Sequence, residues 1–292
     1  MNLKIMSLLP GFRYSSVAAP IPAGAERLAV DVAQQIPRRP AGVVRRRGPA
    51  YGAGLRSEVL MPAAEGRYPL VVYLPGGGFV RAPTAMARRE RAFIAAAGYV
   101  VASVGYRTVR EGATYTDGLA DIRAAVDALT SRAAEYRIDA DRIAVWGESA
   151  GGYLASMAGL TDSRLRAVVD QFGASDLSRV AEGFDAGMRA AAADPRHPIR
   201  RYGAVAANPI DLVATGAPAF LLMHGDDDRV IPPDQTLSLH HALKAAGADS
   251  THYVITGAGH GRLARSSAQT RFWTSLPVMT TVAAFLDHHL RT

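Results

Sequence analysis

The chain has 292 residues, of which 49% are hydrophobic and 20% charged, a balance that suits a folded protein with a sizeable core and speaks against a mostly disordered chain. It contains no cysteine, which excludes a disulfide framework, a thiolate metal site and a thiol nucleophile. The net charge of +7 is densest at Arg38, Arg39, Arg45, Arg46 and Arg47, but no nucleic-acid motif accompanies these arginines, so they read as a solvated face and no nucleic-acid partner is expected.

The opening residues, MNLKIMSLLPGFRYSS, carry a short apolar stretch broken by Pro10 and lack a small-residue cleavage site. They read poorly as a signal peptide, which makes a cytoplasmic location the default expectation. No apolar run approaches the roughly 18 residues of a membrane span, so no integral membrane association is expected. Residues 1–50 are rich in proline, alanine and arginine with weak periodicity and read as an N-terminal arm, part of a cover over a catalytic domain at 51–292. From there the pattern becomes regular. A run at Leu55 to Met61 predicts an antiparallel edge strand, and apolar runs at Leu70 to Leu74, Tyr99 to Val104, Ile143 to Trp146, Ala167 to Phe172, Ala219 to Met223 and His252 to Ile255 predict buried strands. Helical spacing falls between them at Ala85 to Ala97, Thr116 to Tyr136, Pro233 to Ala246 and Pro277 to Leu290. Leu119, Ile122, Val126 and Leu129 share one face of the second. Alternating strand and helix predict an α/β fold with a mostly parallel central sheet, helices on both faces and a small cap or lid. Two long connections, 175–210 and 261–276, are the candidate lid elements.

The chemistry gathers at the ends of the predicted strands. Gly147-Glu148-Ser149-Ala150-Gly151 follows one of them and opens a small-residue helix, the setting of a nucleophile elbow. The glycines permit a sharp turn that projects the Ser149 hydroxyl, and the helix start directs N–H groups to the same place. Such a pentapeptide is a weak signal alone. Leu74-Pro75-Gly76-Gly77-Gly78-Phe79 strengthens it, because N–H groups of Gly77 and Gly78, with that of Ala150, suit an oxyanion hole worth about 3 to 4 kcal/mol per donor. The alternative is a plain flexible turn or phosphate loop, but no Gly-Lys-Ser/Thr follows. The acidic loop Asp226-Asp227-Asp228 comes directly after an apolar strand, on the side where ligands bind in open α/β sheets. A metal reading of these aspartates lacks a second ligand cluster, so neither metal nor cofactor is expected. His224 beside them reads as a turn residue. His260, set among glycines after the last predicted strand, is the histidine best placed to act as base, and the order Ser149, Asp228, His260 is the one expected of this fold.

Taken together these residues resemble the hormone-sensitive-lipase-like and related bacterial carboxylesterases of the α/β-hydrolase superfamily. The likeness runs from about Leu55 to the C-terminus and includes Gly105-Tyr106-Arg107, Asp121, Ile138-Asp139-Ala140-Asp141-Arg142-Ile143 and Phe172-Gly173-Ala174-Ser175-Asp176-Leu177. The resemblance implies Asp228 as the acid of the triad, an Arg107–Asp121 ion pair of structural purpose, and hydrolysis of small to medium acyl esters. It departs from the family at Pro75, which stands where a histidine usually opens the glycine loop and which implies rigidity supplied by proline instead. Phe79, Tyr153, Phe172, Phe184 and Met188 are the candidate pocket residues. An amidase or peptidase of the same fold, arylformamidase-like, uses the same triad. A non-catalytic binding protein, as in the gibberellin receptors, lacks the working histidine, which is present here. The expected partner is a small-molecule ester, and the sequence leaves a homodimer open.

Overall fold

The computed structural model describes residues 15–20, 24–203 and 208–291. Parts of the expected arm (1–14 and 21–23) and of the 175–210 insertion (204–207) lie outside the described residues. Among the described residues nine strands form one sheet: Arg27–Leu28 (β1), Val43–Tyr51 (β2), Leu55–Pro62 (β3), Tyr68–Leu74 (β4), Val100–Val104 (β5), Ile138–Glu148 (β6), Leu165–Gln171 (β7), Ala219–Gly225 (β8) and Ser250–Ile255 (β9). Their order is β1-β9-β8-β7-β6-β4-β5-β3-β2, parallel from β1 to β5 and antiparallel at β5-β3 and β3-β2.

The continuous apolar strands bury both faces. Along β4, Leu70, Val72 and Leu74 enter one core while Val71 and Tyr73 enter the other, as the two-residue period of a strand requires. The first core is covered by helices Tyr115–Thr130, Ala150–Thr161 and Asp234–Ala245, the second by Arg88–Ala96 and Leu276–Arg291. The expected helix face Leu119, Ile122, Val126 and Leu129 is buried. That helix starts where the Asp117 carboxylate accepts the Thr114 N–H at 2.9 Å, satisfying a donor the first turn leaves free. No helix among the described residues is long and apolar enough to cross a membrane.

One expectation is corrected. Leu55–Pro62 is an inner strand, paired on both sides, and the edge belongs to Val43–Tyr51, which crosses the boundary expected at residue 50. The sheet therefore starts earlier than the sequence suggests. Positions 44–47 of this strand are exposed and include Arg45, Arg46 and Arg47, so it carries no apolar alternation to read. Charged residues there also disfavour pairing with another sheet edge.

After β4 the chain adds β5 on one side and then returns to place β6 on the other. The crevice opened by that reversal lies at the carboxyl ends of β4 and β6, where open α/β sheets bind ligands. Asp170 of β7 ties this end of the sheet to the helix Ala150–Thr161, accepting the Ser156 hydroxyl and the Gly173 N–H, each at 2.8 Å. Burial pushes this carboxyl from 3.8 up to about 6, against the lowering effect of those hydrogen bonds. The native state thus holds the proton longer than the unfolded chain, and the contribution is full below about pH 4 and lost as pH rises through about 6, roughly 3 kcal/mol in all. Asp170→Asn is expected to flatten the corresponding fall in urea midpoint over that range; an unaltered slope would contradict the assignment.

Candidate active site

The turn after β6 is built by contact. A Cβ at Gly147 would lie 2.0 Å from the Gly151 carbonyl oxygen, and one at Gly151 would lie 2.0 Å from that of Leu74, so backbone meets backbone where a side chain would intrude. Ser149 between them has φ 55° and ψ −120°, a conformation that costs a non-glycine residue about 1–3 kcal/mol. Its N–H is held by the Gln171 carbonyl at 2.9 Å and its own carbonyl accepts from Tyr153 at 3.0 Å, which fixes the strained residue between sheet and helix.

Strands β8 and β9 bring the other two residues to it. His260 Nε2 lies 2.8 Å from Ser149 Oγ, and His260 Nδ1 lies 2.6 Å from Asp228 Oδ2. All three residues are buried. With the Asp228 carboxylate as acceptor, Nδ1 carries the proton and Nε2 presents its lone pair to the hydroxyl. The second oxygen, Oδ1, accepts the N–H groups of Val230 at 2.8 Å and Ile231 at 3.0 Å. Burial alone would raise this carboxyl; electrostatic attraction to the His260 ring and hydrogen bonds from the His224 and His260 rings outweigh it and hold Asp228 well below the usual carboxylate range. The neighbouring aspartates are spent elsewhere. Asp227 pairs with Arg229 at 2.8 Å, and Asp226 accepts from Gly257 N at 2.7 Å and Arg27 at 3.2 Å.

Two further residues hold the site together, and neither was assigned to it from the sequence. His224 is fully buried, with Nε2 3.0 Å from the Ile231 carbonyl and 3.3 Å from Asp228 Oδ2. Both neighbours are acceptors, so this nitrogen carries its proton and donates toward the carboxylate. Its other nitrogen meets Thr236 Oγ1 at 3.0 Å, and that hydroxyl meets His252 Nε2 at 3.1 Å. Burial pushes His252 down to about 3, which keeps it neutral. The four-residue spacing of His224 and Asp228 was the available signal. Tyr106 is the second: its hydroxyl donates to the Pro75 carbonyl at 2.7 Å and braces the glycine loop where the family's histidine is missing.

In that loop Gly78 has φ 62°, and the Gly77 carbonyl accepts the Val80 N–H at 3.1 Å. Among the described residues, no protein acceptor takes the N–H groups of Gly77, Gly78 or Ala150. Gly78 and Ala150 line the cavity at Ser149, with Phe79, Tyr153, Leu177 and Ile199 among its walls. The cavity holds about 10 Å³, room for roughly one water. Phe79 is wedged there by Tyr202, stacked at 4.6 Å, and by Tyr153, edge-on at 5.4 Å.

Phe79 and Tyr153 thus reach the expected pocket, and three others do not. Phe172 packs against the His260 ring at 4.9 Å and Trp273 at 4.5 Å, on the base rather than in the cavity. Phe184 and Met188 bury against Ala19 in a cluster of their own, because the insertion folds back on residues 15–20 there. The Arg107–Asp121 pair forms as expected, with Arg107 Nε 3.1 and 3.0 Å from the two carboxylate oxygens.

The reversal of strand order and the strand, turn and helix around Ser149 define an α/β-hydrolase fold. A carbohydrate esterase from gut microbiota superposes with a TM-score of 0.72 over 85% of this chain and 97% of that one at 22% identity. Esterase B from Lactobacillus rhamnosis gives 0.72 over 86% of each at 19%. The chain belongs to the BD-FAE family, whose model matches residues 58–243. It is 31% identical over 245 residues to the esterase LipC of Mycobacterium tuberculosis, which covers 75% of this chain and 58% of that protein. With an isoprenylcysteine alpha-carbonyl methylesterase of Arabidopsis thaliana it shares 23% over 240 residues, 74% of this chain and 56% of the relative. The chain spans about half the length of the curated relatives it matches.

Because a positive φ suits glycine, Ser149→Gly is expected to be more stable than Ser149→Ala by about 1 kcal/mol, seen as a higher Tm. An alanine variant of equal or greater stability would mean that the turn stores no strain.

Proposed function

We propose that the protein is a serine carboxylesterase that cleaves small to medium acyl esters through an acyl-enzyme. The observation that carries this reading is the unbroken line from Asp228 through His260 to Ser149, 2.6 and 2.8 Å, beside the N–H groups of Gly78 and Ala150, which no protein acceptor takes among the described residues. Ser149 Oγ attacks the ester carbonyl while His260 Nε2 takes its proton, and Asp228 holds the Nδ1–H tautomer and stabilises the imidazolium. Negative charge moves to the carbonyl oxygen, which Gly77, Gly78 and Ala150 receive through their N–H groups. The intermediate collapses, the carbon–oxygen bond to the alcohol breaks, and His260 returns the proton to the leaving alkoxide. Water, deprotonated by the same imidazole, then attacks the acyl-enzyme and releases the acid and free Ser149.

The relatives named esterases support the ester as substrate. The apolar lining at Ser149, formed by Phe79, Tyr153, Leu177 and Ile199, supports an acyl group as the part of the ester held there, and the described part of residues 175–210 is read as the lid.

Turnover of p-nitrophenyl esters from acetate to decanoate, with a matched anilide, is the test. Short and medium esters are expected to be cleaved far faster than the anilide, and Ser149→Ala to lose nearly all activity while remaining folded. Asp228→Asn is expected to lower kcat by about 10⁴ through the wrong imidazole tautomer. Faster cleavage of the anilide, or full activity in Ser149→Ala, would sink the proposal.

A further inference from the structure

Next to the closed space at Ser149 lies a larger one, of about 650 Å³. The two share a wall: Phe79 and Ile199 face Ser149, while the adjoining residues Val80 and Pro198 face the larger cavity. Its buried floor is apolar, formed by Val80 and Val109, and its outer part carries Ala190 and Ala191 with the exposed Arg110, Arg196 and Arg201; the buried His197 and one acid, Asp194, complete the polar lining. That acid is already engaged, since Arg196 donates to both of its oxygens at 3.1 and 2.9 Å. Arg201 is positioned by a hydrogen bond to the Val109 carbonyl at 3.3 Å, and no carboxylate among the described residues pairs with it.

Resting on the esterase reading above, we infer that this cavity receives an anionic group, a carboxylate or phosphate, carried by the ester itself. An arginine face that is merely solvated has no need of a concavity with an apolar floor, whereas a substrate with an apolar spacer and an anionic end uses both. Arginine suits the task because its planar fork meets a carboxylate or phosphate with two parallel hydrogen bonds and keeps its charge at every physiological pH. Ile199 lines the space at Ser149 and its neighbour Pro198 lines the larger cavity, so the far end of an ester held at Ser149 has this cavity beside it. The preferred substrates are therefore esters with a second, acidic function, and the chain's net charge of +7 favours their approach.

The test compares monomethyl adipate with methyl hexanoate, and 4-acetoxybutanoate with butyl acetate, so that the carboxylate sits on the acyl half in one pair and the alcohol half in the other. The wild type is expected to prefer the anionic member of at least one pair in kcat/KM. That preference ratio should fall about tenfold in Arg201→Gln, fall little in Arg201→Lys, and shrink as salt is added. The same ratio in wild type and Arg201→Gln would overturn the inference, as would a preference for the neutral member of both pairs. Should none of the esters be hydrolysed, it is the esterase reading that fails. Calorimetric binding of adipate to Ser149→Ala, with and without Arg201→Gln, then decides the anion site separately: weaker binding without the arginine supports it, and equal binding or none overturns it.

Discussion

No side chain fits at Gly147 or Gly151, where a methyl group would come within 2.0 Å of a backbone carbonyl oxygen. This close approach of the helix Ala150–Thr161 to β4 and β6 determines what the site is. It forces Ser149 to φ 55°, which turns the hydroxyl out of the sheet, and it sets the helix start beside the glycine loop that follows β4. The crevice comes from strand order alone, but a crevice without this turn would leave the serine facing its own backbone. Strain at Ser149 is sustained by surroundings that determine it from every side: Gln171 holds the N–H, Tyr153 the carbonyl and His260 the side chain.

The acid end is built on a different principle. Asp228 is completely buried and remains charged because donors reach both oxygens: two backbone N–H groups on one, the His260 ring and the nearby His224 ring on the other. An ionised group taken out of water survives only with such compensation. His224 thus connects the acid to Thr236 and His252, a run of buried polar atoms beneath the site. At His260, Phe172 packs on the imidazole and Trp273 packs on Phe172, while the Trp273 N–H holds the Gly259 carbonyl at 2.9 Å. Ser149, His260 and Asp228 are held by packing and hydrogen bonds on three separate loops.

Much of this was legible in the sequence. Buried parallel strands read as continuous apolar runs because both faces of the sheet demand the same kind of residue, and six of the seven parallel strands were read this way, though β6 begins five residues before the expected Ile143 and the two-residue β1 went unread. The expected triad residues fall within hydrogen-bonding distance of one another, since glycine-flanked Ser149 and His260 and the acidic loop mark strand ends directly. The edge strand Val43–Tyr51 was hidden because exposure removed its pattern. Phe172, Phe184 and Met188 were expected at the pocket from their type and proximity in sequence, but which neighbour an aromatic ring meets depends on how a long insertion folds, and that information is distributed over the whole chain. His224 was passed over for a related reason: a histidine inside a turn motif shows its partners only in three dimensions.

The central claim is that Ser149 becomes covalently acylated, and rapid-quench mass spectrometry of the protein mixed with p-nitrophenyl butyrate tests it most directly. The account predicts transient addition of one butyryl group, located by fragmentation on Ser149 and formed no more slowly than turnover. Turnover with no acylated protein at any quench time when deacylation has been slowed by low temperature, or a butyryl group carried on a different residue at the turnover rate, would contradict it.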